Sequence, residues 1–317
     1  MIRTVFKTFG HKHIDVTLAS GDGDLVRIVE RPGIWMSAAK LAELCAQLRQ
    51  IAAKNLPAGE LTYGVFSGDA KVMENVIITL VQRRDGTPIA FNALAVMALE
   101  TEPTPTEVLH LGLVMVDPAE RSRNLSWVLY GLTCFLIFVR RQFRPVWISN
   151  VTQVPAVVGM VSTMFSDVWP APGKGRRTLM HLLLARQIMA KHRHIFGVGQ
   201  VAGFDEDRFV ITDAYTGGSD HLKKTWDDAP KHREDRFNTY CAEHLDYARG
   251  DDLLQLGRMD LTAMRTYLAR EVPKSAVLGL VITGTLIALR RLVLPLLHWL
   301  DAAKPWGTLR PAKGPDA

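Results

Sequence analysis

The sequence predicts an α/β fold, a mixed central β-sheet flanked by helices, with an added C-terminal helical region that associates with a membrane. Three observations predict it. Residues from Glu107 onward run strand, turn, helix, and a second strand (Val146 to Asn150) and helix (Val154 to Phe165) follow at once; such a succession lays helices against a sheet. Arg84-Asp85-Gly86 separates two apolar segments, Val76 to Gln82 and Pro88 to Met97, a hairpin signal. Near the C-terminus, Ala276 to Leu289 is a run of 14 mainly apolar residues, followed by Arg290-Arg291 and LVLPLLHWL.

Taken in order, His13 to Leu18 and Leu25 to Glu30 read as short strands on either side of Gly21-Asp22-Gly23. Ser37 to about Lys54 reads as a helix, because Leu41, Leu44, Cys45, Leu48 and Ile51 share one face at helical spacing. Leu61 to Phe66 is expected as a strand before the hairpin. Val108 to Val116 alternates as a strand buried on at least one face, and Pro118 ends it, since proline cannot donate to a sheet ladder. The helix that follows, through Leu125, Trp127, Leu129, Phe135 and Val139, has no polar face. It must be covered on both sides, by the chain's own C-terminal half or by lipid, and lipid is the economical choice. Arg176 to about Arg193 is expected as a helix whose Leu179 to Leu184 form a further apolar patch.

Ile195 to Val201 and Arg208 to Thr212 are expected as strands flanking the turn Phe204 to Asp207. Thr216 to Glu234, with Gly217-Gly218-Ser219 and dense charge, reads as a flexible loop or lid. Arg236 to Ala248 reads as a helix with Phe237, Tyr240, Cys241 and Leu245 as its apolar stripe; Gly250 ends it, and a short segment leads to a helix from Leu261 to Glu271. The expected organisation is therefore an N-terminal segment (1–60), a core (61–214), a charged loop and helical extension (215–275), apolar membrane-associating helices (276–300) and a tail (301–317).

Composition narrows the setting. The 317 residues are 48% hydrophobic with a mean hydropathy of +0.06. Cys45, Cys134 and Cys241 show neither metal spacing nor a pairing pattern, which predicts a reducing interior and no metal. The start, MIRTVFKTFGHKH, has no apolar h-region and predicts no secretory signal. The net charge is +6, with basic clusters at Arg140, Arg141 and Arg144, at Lys174, Arg176 and Arg177, and from Lys191 to His194. Cofactor phosphates or an anionic membrane surface suit such clusters. Aromatics do not interleave with them, so nucleic acid is not an expected partner.

Fourteen helical residues span roughly 21 Å, short of the ~30 Å hydrocarbon core. Reading on to Leu300 gives the length but puts Pro295 and two arginines inside the span, each arginine costing roughly 2.5–3.5 kcal/mol near the centre. Two short helices lying in one leaflet fit better, with the arginines reaching to headgroups and Trp299 at the interface. The other reading is a buried dimer or core helix.

At the junction after Val116, Arg121, Ser122, Arg123, Asn124, Leu125 and Ser126 lead into the apolar helix. A helix start offers unpaired N–H groups and the positive end of a dipole, and two arginines flank this one, so a phosphate site is expected. Val116-x-Pro118-x-x-Arg121-x-x-Asn124-Leu125-Ser126, followed by Leu129, resembles motif A of the GNAT acyltransferase superfamily. There, Arg/Gln-x-x-Gly-x-Gly/Ala wraps the pyrophosphate of coenzyme A. Arg121 matches the basic position; Asn124 and Ser126 stand where the family has small residues, mostly glycine. Asn tolerates φ > 0 best among the other residues, and Ser is small and caps helices. The resemblance covers roughly Leu61 to Asp213.

The resemblance implies an acyl-CoA or acyl carrier protein thioester as co-substrate, its pantetheine running along Leu111 to Val116. It implies two splayed central strands, Leu109 to Val116 and Val146 to Asn150, with the thioester in the gap and a backbone N–H near Val114 polarising its carbonyl. Transfer to an amine needs a base working near pH 7. His110 and Glu107 are the candidates on the motif strand; their opposite parity lets only one face the gap, and the reference pKa of His110 suits the task. Asn150 is placed to bond the acceptor or the pantetheine. Many family members carry a tyrosine acid on the next helix, where this chain has only Ser162 and Thr163.

The expected activity is acyl-CoA-dependent N-acylation of an amphipathic lipid amine, as in the bacterial ceramide-synthase type that acylates a sphingoid base. The expected place is the cytoplasmic face of the inner membrane, peripheral or monotopic. The alternatives are a soluble acetyltransferase of a small amine or protein lysine, and a non-catalytic acyl-CoA or lipid-binding membrane protein.

Overall fold

The structure is a computed structural model describing residues 13–20, 23–55, 64–101, 105–123, 125, 127–173, 175–217, 220–274, 276–282, 284–285 and 289. Among these residues, eleven strands form one mixed sheet: β1 (Asp15–Ala19), β2 (Leu25–Glu30), β3 (Val76–Gln82), β4 (Pro88–Leu99), β5 (Thr106–His110), β6 (Val114–Val116), β7 (Val146–Thr152), β8 (Ser166–Trp169), β9 (Gly203–Asp205), β10 (Val210–Thr212) and β11 (Asp252–Met259). Their order is β1-β2-β3-β4-β5-β7-β11-β10-β9, with β6 beside β4 and β8 beside β11. The β5–β7 pair is parallel and the other pairs are antiparallel.

Among the described residues, six helices of eight residues or more cover the sheet: α1 (Ala38–Ala53), α2 (Thr133–Arg140), α3 (Pro155–Met164), α4 (Leu179–Gln187), α5 (Asp235–His244) and α6 (Leu261–Arg270). Strand alternation divides the core between the two faces. Ala90, Leu94, Leu109 and Ile148 pack with α2, α3 and α6 on one face. On the other, Ile78 and Phe91 meet α1, while Val108, Leu254 and Leu256 meet α4. The predicted stripe of α1 is buried in full.

Several expectations are corrected. The segment read as a short connection before Leu261 is β11, which pairs with β7 over seven residues in the middle of the sheet. Buried on both faces, DLLQLGRM shows no period-two alternation, the usual mark of a strand. Val108 to Val116 is broken at Leu111–Leu113 into β5 and β6. Gly64–Phe66 forms a tight turn where a strand was expected, and Leu61 to Tyr63 lie outside the described residues. Ile195 to Val201 is not a strand: Gly197, at φ 74°, caps the preceding turn in the left-handed region, and pairing resumes only at β9.

The cover of α2 is also corrected. Residues Thr133 to Val139 are all buried, and this chain's own C-terminal half supplies the outer layer. Tyr267 of α6 is fully buried, 6.0 Å from Phe135, and lies so close to Gly131 that a Cβ there would fall 2.0 Å from its ring. Leu280, in the helical stretch 276–282, packs into the same core. That stretch turns another side outward: Leu278, Val281 and Ile282 are exposed, as is Leu289. Among the described residues no helix is long and apolar enough to cross a membrane. The expected second helix beyond Arg290, Trp299 and the tail lie outside the described residues.

Candidate functional site

The parallel ladder between β5 and β7 runs from Val108↔Trp147 to His110↔Ser149 and ends with Leu111 N–H donating to the Ser149 carbonyl at 2.7 Å. The two chains then part. β6 stays with β4, in the register Asn92↔Val114 and Ala90↔Val116, while β7 continues with β11 to Thr152. Ala93 N–H donates to Leu113 O at 2.9 Å and Asp117 N–H to Ile89 O at 2.8 Å, so the odd-numbered residues turn their backbone polar groups toward β4. By alternation, Gly112, Val114 and Val116 turn theirs the opposite way, into the wedge. No described strand pairs with β6 on that side.

At the wide end of the wedge, Pro118–Arg123 forms tight turns, and the helix opens where the Leu125 carbonyl accepts Leu129 N–H at 3.0 Å. Its first stretch, Trp127–Leu132, is wound in wide π-type turns, a form frequent at functional sites. Arg121 is exposed and donates to the neutral Asn55 Oδ1 at 2.8 Å; among the described residues no carboxylate pairs with it. Arg123 differs, because its guanidinium pairs with Asp24 at 2.6 Å and Glu120 at 2.9 Å. Arg83 also pairs with the buried Glu120, and Lys54 with Asp117 at 2.6 Å. Of the two arginines expected to meet phosphate, Arg121 alone offers its charge outward. Asn124, Ser126 and the side chain of Ser122 lie outside the described residues.

His110 stands at the vertex, 3% exposed, with Nδ1 3.0 Å from Ser149 Oγ and its ring 5.0 Å from that of Phe196. Burial pushes its pKa down to about 4, so at neutral pH it is an uncharged imidazole and a poor proton store. Glu107 is not brought to the wedge: it pairs with Arg31 at 2.6 Å and with Arg141 at the closed end of the ladder. Asn150 is buried and donates to Gln255 Oε1 at 3.3 Å; Gln255 Nε2 in turn donates to Ser162 Oγ at 3.1 Å and Pro170 O at 3.0 Å. This network ties β7, β11 and α3 together. Among the described residues one buried amide is unspoken for: Asn92, level with Val114 and 0% exposed, has no hydrogen-bond partner there at either side-chain atom.

Sequence reasoning missed a second polar cluster at the far end of β7. Tyr215 Oη donates to Asp252 Oδ1 at 3.0 Å, and Tyr247 Oη donates to the Gln153 carbonyl at 2.6 Å. Asp252 is 6% exposed, and burial, with Asp251 beside it, raises its pKa to about 7. Its only local signal is an acidic pair opening an apolar run. Beside α5, Trp169, Arg208, Arg236, Tyr240 and His244 line an open groove of about 860 Å³. Among the described residues no three metal-ligating side chains gather.

No protein-family model matches the sequence, and no curated protein matches it. Among solved structures, a mutant of the BH1408 protein from Bacillus halodurans is 12% identical over 34% of this chain and 71% of that one, with a TM-score of 0.22. A likeness that slight carries no argument about fold or function.

Proposed function

We propose that the protein is a GNAT-type N-acyltransferase, taking a long-chain acyl group from acyl-CoA or an acyl carrier protein thioester and passing it to the amine of an amphipathic lipid, such as a sphingoid base, at a membrane surface. The wedge carries this reading. An arm built of two amides can pair, as an added strand, with the outward C=O of Val114 and the outward N–H and C=O of Val116. Arg121 at the wide end then meets the pyrophosphate, and the thioester comes to the vertex beside Leu111 and His110. There a backbone N–H such as that of Val114 polarises the carbonyl that the amine attacks. Neutral His110 and Ser149 orient the reacting groups by hydrogen bonds, since an imidazole titrating at about 4 takes little of the amine's proton near neutrality.

The lipid acceptor is supported by the outward stripe Leu278, Val281, Ile282 and Leu289, flanked in sequence by Lys274 and Arg290-Arg291. Apolar side chains bordered by cations suit the interface of an anionic leaflet, here the cytoplasmic face of an inner membrane. The carboxylate lock on Glu107 favours a second reading, a non-catalytic acyl-CoA-binding protein.

Turnover decides between them. The full chain on anionic vesicles, given palmitoyl-CoA and a long-chain primary amine, should release free thiol and form the amide. Arg121→Ala should raise KM for palmitoyl-CoA about tenfold or more, the usual worth of a charge-assisted contact. Absence of turnover sinks the enzyme reading, and an unaltered KM removes Arg121 from the donor site.

A further inference from the structure

We propose that the acyl donor is delivered by an acyl carrier protein, an acidic helix of which docks on a band of cations beside the mouth of the wedge, with Arg121 at its inner end and Arg84 at its outer end. The inference rests on the acyltransferase reading and names the form in which the donor arrives.

The band lies at one end of the sheet. The turn before β2, the β3–β4 turn, the turns after β6 and the last residues of α1 meet there, and side chains link them. Arg84 Nε donates to the Gly23 carbonyl at 3.1 Å. Arg123 reaches Asp24 at 2.6 Å and Glu120 at 2.9 Å, and Arg83 pairs with the same Glu120. Lys54 holds Asp117 at 2.6 Å, and Arg121 donates to Asn55 at 2.8 Å. From β6 across β4 and β3 to β2 the band covers three inter-strand steps, roughly 14 Å.

Charge is layered in this surface. The side chains of Arg83 and Lys54 are 49% and 41% exposed, whereas those of their partners Glu120 and Asp117 are 6% and 11% exposed. Asp24 is buried as well. Solvent therefore meets guanidinium and ammonium groups, and the carboxylates behind fix them in position. Among the described residues, exposed Arg84 and Arg121 have no carboxylate partner. Asp85 is the one exposed acid among the described residues of these turns, and its Oδ1 accepts Thr87 N–H at 2.9 Å. Cations held in place in advance favour an anionic partner of matching extent.

A carrier protein matches better than free CoA or lipid. Acidic side chains on two to three turns of a helix, at 5.4 Å per turn, cover the band. The arm of a carrier protein has one phosphodiester, to which Arg121 at the mouth is the unspent cation; CoA brings a pyrophosphate and a further phosphate on the ribose. Residues 53–55, 83–87 and 117–123 include no aromatic side chain to stack on adenine and no large apolar side chain to enter a bilayer. The exposed apolar stripe lies elsewhere. Gly284, within it, sits beside Phe135 and Val139, and α2 ends at Arg140, which pairs with Glu30 at the far end of β2. Lipid on that stripe leaves the band open to a soluble carrier.

The transfer itself is the same for either donor. The amine nitrogen bonds the acyl carbon and the C–S bond breaks. Nitrogen gives its proton to solvent, and the thiolate of the arm takes one back. Palmitoyl-CoA carries the same pantetheine and remains a slower donor.

The test compares the two donors. The full chain on anionic vesicles, with a long-chain primary amine, is given palmitoyl-CoA in one arm and palmitoylated acyl carrier protein in the other. The carrier-bound donor should show kcat/KM about tenfold or more above that of palmitoyl-CoA. Arg84→Glu should raise KM for the carrier-bound donor about fivefold or more and leave KM for palmitoyl-CoA within about twofold, because Arg84 meets only the protein part. Arg84→Ala, which adds no like charge beside Asp24 and Asp85, should show the same selectivity and guards against a folding defect. Equal kcat/KM for the two donors, or Arg84 variants that leave both KM values unmoved, overturns carrier docking and leaves the acyltransferase reading standing. Arg84→Glu that weakens flotation with the vesicles, with KM for the carrier-bound donor unmoved, gives the band to lipid and overturns the docking. No turnover with either donor overturns both.

Discussion

At the scale of single residues, the fate of each polar side chain is set by its neighbours rather than by its type. His110 and Glu107 lie three positions apart, yet one is an uncharged ring in the core and the other is clamped by two arginines. The types and parity of these residues were legible in the sequence. Their partners were not, because Arg31 and Arg141 reach Glu107 from 76 and 34 positions away. The depressed pKa of His110 has a stability consequence. Between pH 6.5 and 4 the unfolded chain binds a proton that the folded one refuses, so this residue should lower stability as pH falls through that window, by about 1.4 kcal/mol per pH unit. Urea unfolding at pH 7, 6 and 5 should therefore fall less steeply for His110→Gln than for the unaltered protein. Equal slopes would mean that the imidazole is charged in the fold.

At the scale of elements, local pattern worked where a one-sided stripe or a turn signal marks the segment, and failed where both faces are buried and no such signal stands beside it. The stripe of α1 could be read directly, as could the β3–β4 hairpin around Arg84-Asp85-Gly86. β11 could not, since burial on both faces erases the alternation that marks a strand. Helix α2 shows the opposite limit: its wholly apolar surface announced that it is covered, but only Tyr267 and Leu280 say by what. That protein cover leaves Leu278, Val281, Ile282 and Leu289 exposed, and the proposed lipid contact is assigned to them. Replacing Leu278, Val281 and Ile282 by Ser should weaken binding to anionic vesicles by about tenfold or more in a flotation assay. The melting midpoint should stay within about 2 °C, because exposed substitutions away from the core cost little. Undiminished flotation would rule out the stripe as the lipid contact.

At the scale of the whole molecule, the unit of folding is larger than the segment carrying the motif resemblance. β11 pairs with β7, β8 and β10, so three strands of the expected core find their partner beyond its expected boundary. A chain ending at Arg249 would leave the edge of β7 bare and α2 without its cover; it should show no cooperative thermal transition by circular dichroism. A sharp melt would make β11 an accessory. By itself the sequence determined the α/β class, the hairpin and the strand–turn–helix around Arg121, because each is written in contacts between residues close along the chain. Tertiary structure alone decided that the motif strand breaks at Leu111, that Arg123 spends its charge on Asp24 and Glu120, and that Asp252 sits buried beside Tyr215. Those outcomes depend on groups far apart in the chain meeting where water is excluded, and no local spacing encodes that meeting.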